Sequence, residues 1–127
     1  MPTPSETVCD FLALWDKPGG LDQAFHQYFT PATVWENVGW VTTVGAEEAI
    51  ALKHKYDSQT GMAAIRVDNL AVAEIGNKVL TERVDHLLDR AGNVLFSPAV
   101  MGIFELENGK IVAWRDYFDT RSYVPPE

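Results

Sequence analysis

Val79-Leu80-Thr81-Glu82-Arg83-Val84-Asp85-His86-Leu87-Leu88 and Ile111-Val112-Ala113-Trp114-Arg115-Asp116-Tyr117-Phe118 are β-rich runs that each set a carboxylate among apolar residues. Side chains alternate faces along a strand, so Arg83 and Asp85 share one face with Val79, Thr81 and Leu87, and Asp116 shares one with Val112, Trp114 and Phe118. An ionised Asp on an apolar face is costly unless it is paired or hydrogen-bonded. Two of them with one Arg make a charge-sharing cluster. Met62 to Ile75 and Val94 to Leu106 read as strands by the same composition, and Gly76-Asn77, Asp89-Arg90-Ala91-Gly92-Asn93 and Asn108-Gly109 separate the four runs as hairpin loops. The second half is therefore expected to be a four-stranded antiparallel meander.

The first half has helical spacing. Thr3, Pro4 and Glu6 have the form of a capping box with proline at the first helical position, followed by Val8, Phe11, Leu12 and Trp15, which predicts a helix to about Asp16. Pro18-Gly19-Gly20 breaks it. Leu21, Ala24, Phe25 and Tyr28 mark a second helix ending near Pro31, and a strand is expected over roughly Thr33 to Val38. Ala46, Ala49, Ile50, Lys53 and Tyr56 suit a third helix that runs to about Asp57, and Tyr123 to Glu127 reads as an irregular tail. Helices segregated ahead of strands predict an α+β fold in which the helices cover one face of a curved sheet and close a cone.

The chain has 127 residues, 46% of them hydrophobic, which predicts one domain over 1–127 with one core. Ten Lys and Arg against 18 Asp and Glu give a formal charge of −8, with the basic residues scattered, which argues against nucleic acid and anionic membranes as partners. The N-terminal residues lack the basic start and apolar run of a signal peptide, so the expected location is the cytoplasm. Cys9 is the single cysteine and is expected to pack in a helix. His26, His54 and His86 fall in different elements without ligand spacing, so no metal site is expected. Neither Cys9 nor Ser97 has the context of a nucleophile.

The Arg83, Asp85 and Asp116 cluster admits two readings. Two carboxylates, one guanidinium and one proton sum to zero charge, so an apolar cavity tolerates one acid and one base side by side. The alternative is an ion pair that ties strands together. Trp35-Glu36-Asn37 bears on the choice, because Trp35 and Asn37 share a strand face and an Asn amide suits the orienting of a water, although Asn is also common at strand ends.

Thr81-Glu82-Arg83-Val84-Asp85, Val100-Met101-Gly102-Ile103-Phe104, Gly109-Lys110-Ile111 and Trp114-Arg115-Asp116-Tyr117-Phe118-Asp119, in that order, resemble the limonene-1,2-epoxide hydrolase family. The likeness covers the second half and the Trp35–Asn37 segment, and the N-terminal helices contribute little. Single pieces also occur in the wider family of cone-shaped proteins related to nuclear transport factor 2; the ordered combination is more specific. The resemblance implies a cone with a curved, mixed, mostly antiparallel six-stranded sheet, and a homodimer. It also implies a one-step opening of a small hydrophobic or cyclic epoxide by water, without metal or cofactor. In that scheme Asp116 matches the general base, Asp85 the general acid, Arg83 the bridge that orients both, and Asn37 a water-holding residue. Trp35 stands where familiar members have a water-holding tyrosine; its indole N–H can donate but not accept. The same resemblance places Tyr56, Met62, Ala64, Leu87, Pro98, Val100, Phe118 and Tyr123 around the substrate, positions that otherwise read as ordinary core. The rival functions on this architecture are a SnoaL-like cyclase, a ketosteroid-isomerase-like enzyme and a non-catalytic small-molecule binding domain.

Overall fold

Thr3 caps the first helix as its sequence predicts: Glu6 N–H donates to Thr3 Oγ1 at 3.2 Å and Thr3 N–H donates to Glu6 Oε1 at 2.9 Å. In the computed structural model, which describes residues 2–122, this helix is α1 (Pro4–Ala13), continued by a 3-10 turn over Leu14–Asp16. Gly20 opens α2 (Gly20–Tyr28) where a Cβ would overlap the Leu14 carbonyl, so only glycine lets α2 start so close to the end of the 3-10 turn. The third helix is α3 (Gly45–Thr60).

Seven strands form one sheet: β1 (Phe29–Asn37), β2 (Val41–Val44), β3 (Ala64–Ile75), β4 (Lys78–Leu88), β5 (Val94–Phe96), β6 (Ala99–Glu107) and β7 (Lys110–Tyr117). Their order is β2-β1-β7-β6-β4-β3, with β5 also paired to β4. All pairs are antiparallel except β1 with β7, which is parallel. Three helices on a curled, mixed, mostly antiparallel sheet give the expected α+β architecture, and β3, β4, β6 and β7 form the expected meander.

The strand count is seven rather than six. The run from Val94 to Leu106 is two strands, because Pro98 has no N–H for the ladder and Ser97-Pro98 interrupts the pairing with β4 between Phe96 and Ala99. The carbonyl of Pro98 still accepts from Asp85 N–H at 3.0 Å. The short strand β2 was not expected; a turn in which Trp40 N–H donates to Asn37 O folds it back on β1. α2 also ends before Pro31, and β1 begins at Phe29.

The core lies between the helices and the concave sheet face. Phe11 of α1 is fully buried, with edge-to-face contacts to Trp15, Phe104 and Trp114 at centroid distances of 5.4, 6.2 and 5.5 Å. Among the described residues no helix is long and apolar enough to cross a membrane. The tail, including Tyr123, lies outside the described residues. Phe11→Ala is expected to cost about 3–5 kcal/mol, since it empties the contact between helix and sheet, and urea unfolding of the variant checks this.

Candidate active site

Cross-strand register builds the site in two rows. Trp35, Trp114, Phe104 and Val79 lie side by side across β1, β7, β6 and β4, and one step along the strands Asn37, Asp116, Gly102 and Thr81 form the next row. The first row becomes a ring stack: Trp114 lies flat against Trp35 at 4.6 Å and 6°, and against Phe104 at 5.2 Å and 16°. The second row carries the charge. Alternation then brings Arg83 and Asp85 of β4 to the same inner face.

Arg83 is fully buried, and Asp85 and Asp116 are 4% and 5% exposed. The guanidinium has five N–H groups and the structure gives each an acceptor. Nε donates to Asp85 Oδ1 at 3.1 Å; Nη1 donates to Thr81 Oγ1 and Asp116 Oδ1, both at 3.1 Å; Nη2 donates to Asp85 Oδ2 and Asp116 Oδ2, both at 2.9 Å. Trp114 Nε1–H donates to Asp116 Oδ1 at 2.7 Å. The faces of Trp15 and Phe104 lie 5.8 and 6.0 Å from the guanidinium carbon. Burial works to lower the Arg83 pKa, but Asp116 and Asp85 more than reverse it and hold the guanidinium charged. Burial raises the Asp116 pKa, against the pull of Arg83 and Trp114.

Gly102 makes this cluster possible. A Cβ there would overlap both Asp116 Oδ1 and Arg83 Nη1, so the ion pair crosses β6 through the space that a side chain would occupy.

A cavity of about 60 Å³ opens between the helices and the sheet, with Asp85, Asp116, Asn37 and Trp35 on its wall. Of the residues expected around a substrate, Tyr56, Met62, Val100 and Phe118 line it. Ala64 and Leu87 are buried core residues outside its lining, and Pro98 sits at the ladder break, also outside it. Sequence reading did not assign Trp15, Trp40, Trp114 or Lys53 to the cavity, although Trp15 and Lys53 fall on the apolar faces of their predicted helices. The buried Lys53 ammonium is paired with Asp57 at 2.6 Å and lies 3.9 Å from Asp22. Burial raises the Asp57 pKa.

Asn37 Nδ2, Trp35 Nε1 and Trp15 Nε1, all on this wall, are buried without a hydrogen-bond partner. Such donors cost roughly 1–3 kcal/mol each when left unmade, so they are the groups on this wall that call for a water or a ligand. Among the described residues no group of three or more His, Cys, Asp and Glu is placed to hold a metal ion.

The family model for the limonene-1,2-epoxide hydrolase catalytic domain matches residues 2–124. The chain belongs to this family. The epoxide hydrolase EphG of Mycobacterium tuberculosis is 35% identical over 86 residues, which are 68% of this chain and 54% of EphG; the chain thus spans about half the length of that curated relative. The solved structure of an M. tuberculosis LEH-like epoxide hydrolase matches with a TM-score of 0.71 at 28% identity, over 93% of this chain and 84% of the other. A SnoaL-like polyketide cyclase, so described, from Shewanella putrefaciens CN-32 matches with a TM-score of 0.77 at 11% identity, over 97% of this chain and 84% of the other, and shares the fold alone. The architecture is the one common to nuclear-transport-factor-2-like and SnoaL-like proteins.

Gly102→Ala is expected to destabilise the protein by about 1–3 kcal/mol, because the atoms its methyl meets are fixed in the ion cluster. Denaturant unfolding measures the loss; unchanged stability would show that the cluster has room to shift.

Proposed function

We propose that this protein is an epoxide hydrolase that converts a small hydrophobic or cyclic epoxide to a vicinal diol in one step. The observation that carries the reading is the pair of carboxylates clamped by one fully satisfied guanidinium at the wall of a mostly apolar cavity that also carries three unpaired buried donors. A strand tie alone gives no reason for unpaired donors next to the pair.

In the proposed reaction a water held by Asn37 and Trp35 attacks one epoxide carbon as Asp116 takes its proton. The ring C–O bond breaks, and Asp85 protonates the departing oxygen. Burial raises the basicity of Asp116, whereas three donated hydrogen bonds from Arg83 and Trp114 keep it a carboxylate. Asp85 receives only two, both from Arg83, and is assigned the role of the acid that gives up a proton. Turnover moves that proton from Asp85 to Asp116 by way of substrate and water, so the cluster ends with the same charge and resets by returning it. We also assign a homodimer, for which the outer sheet face is available: Met101 and Tyr117, opposite each other on β6 and β7, are 48% and 49% exposed.

Asp116→Asn and Asp85→Asn are each expected to lower hydrolysis by ~10²–10⁴-fold while the fold survives, as judged by thermal melting. Arg83→Lys is expected to damage activity as well, because an ammonium keeps the charge but loses the planar fork that reaches both carboxylates. Near wild-type turnover in all three would leave only the strand-tie role. Reaction in heavy-oxygen water separates the chemical alternatives: a labelled diol means hydrolysis, and an unlabelled rearranged product means an isomerase or cyclase.

The pH profile follows from the direction of the Asp116 shift. The base has to be ionised and its pKa is raised, so the acid limb of kcat/KM is expected above the ordinary Asp value of 3.8, with activity rising as the pH passes through it. The same shift has a sign in stability: the folded chain holds this proton to higher pH than the unfolded chain, so its contribution is present at low pH and is lost as the pH rises through the raised value. A pH–rate profile with no limb above 3.8 would show that Asp116 is not the titrating base.

A further inference from the structure

We infer that Trp35 is a specificity-determining residue that restricts the cavity to compact, short-chain epoxides such as 1,2-epoxypropane, and excludes bulky terpenoid ones. The inference rests on the epoxide hydrolase reading and narrows its substrate class. It starts from volume. A benzene-sized guest occupies an apolar protein cavity of about 150 Å³, and the space in front of Asp85 and Asp116 is about 60 Å³.

The wall next to the carboxylates cannot retreat to enlarge it. Trp114 is 1% exposed, is sandwiched between Trp35 and Phe104, and is tied to Asp116 through its indole N–H. Asp85 and Asp116 are fixed by Arg83, so a substrate has to come to them. Trp35, like Trp15 on the same wall, has no hydrogen bond at its indole N–H. Stacking on Trp114 and a tilted contact with Phe25 at 5.4 Å hold it in place. It stands one row from Asn37 and Asp116 on the parallel β1–β7 pair, so its ring takes up the volume beside the reacting atoms. A smaller residue there would enlarge the cavity at the point where ring substituents have to lie.

The test compares kcat/KM for 1,2-epoxypropane, cyclohexene oxide and limonene oxide in wild type, Trp35→Leu and Trp35→Phe, with the fold checked by thermal melting. In wild type kcat/KM is expected to fall on the order of tenfold or more from 1,2-epoxypropane to cyclohexene oxide, and further to limonene oxide. Trp35→Leu should narrow or reverse that ratio, and Trp35→Phe, which keeps a ring on Trp114, should shift it less. The ratio is insensitive to a uniform loss of water holding. Binding of the corresponding diols to Asp116→Asn, with and without Trp35→Leu, followed by indole fluorescence, reads the same size limit without turnover. Equal turnover of small and large epoxides by wild type, or a size limit that Trp35→Leu leaves unmoved, would overturn the inference. If no epoxide is turned over but the diol size limit moves with position 35, the hydrolase reading fails and the size restriction stands.

Discussion

A guanidinium without contact to bulk water has to find a protein acceptor for every N–H it brings inside. Arg83 does so with Thr81, Asp85 and Asp116, and the rest of the sheet is arranged to permit it. Removing one partner of a buried ion pair typically costs about 3–5 kcal/mol because a charge is left behind. That magnitude explains why neighbouring features look subordinate to the cluster. β6 gives up a side chain at Gly102, β7 turns the Trp114 indole toward Asp116, and the ladder breaks at Ser97-Pro98 while still supplying a carbonyl to the Asp85 N–H. The cluster also sets the electrostatics of the cavity, since one buried cation stands between two carboxyl groups at its wall.

Much of this was legible in the sequence, because period-two alternation tells which residues of one strand share a face. Arg83 with Asp85, and Asp116 with Trp114, followed from that rule alone, and the turn residues after Ile75, Leu88 and Glu107 set the meander. Alternation does not tell which residue of another strand lies opposite. The meeting of Asn37 with Asp116, the pairing of Trp35 with Trp114 and the gap at Gly102 all depend on registers between segments distant in the chain, one of them parallel. Nor does residue type tell which buried positions reach the cavity: Ala64, Leu87 and Pro98 lie outside its lining, although Leu87 pairs with Ile65, which is in it. The strand β2 was hidden by its length of four residues.

Architecture does not select the chemistry. Relatives that share the sheet at 11% to 19% identity include proteins described as cyclases and one of unknown function. The chain's family is shown by the match of its sequence to the limonene-1,2-epoxide hydrolase catalytic domain and not by the sheet. The helices contribute by shape: α1 and α2 bring Phe11 and Phe25 against the aromatic row, which in turn stiffens the wall that carries Asp116.

The parallel pairing of β1 with β7 has a consequence for the order in which the molecule comes together. Asp116 lies between Asn37, brought from the first third of the chain, and Gly102, its hairpin neighbour. Helices and hairpins rest on local contacts, whereas a pairing between segments far apart in the chain carries the larger loop-closure cost. Until β7 docks, Arg83 has Asp85 but not Asp116, and a half-paired cation stays near water. The charge cluster needs only β4, β6 and β7, which are hairpin neighbours, whereas Asn37 and Trp35 reach it only when the distant β1 pairs with β7; the ion pair and the two donors beside it are thus joined by contacts of very different range.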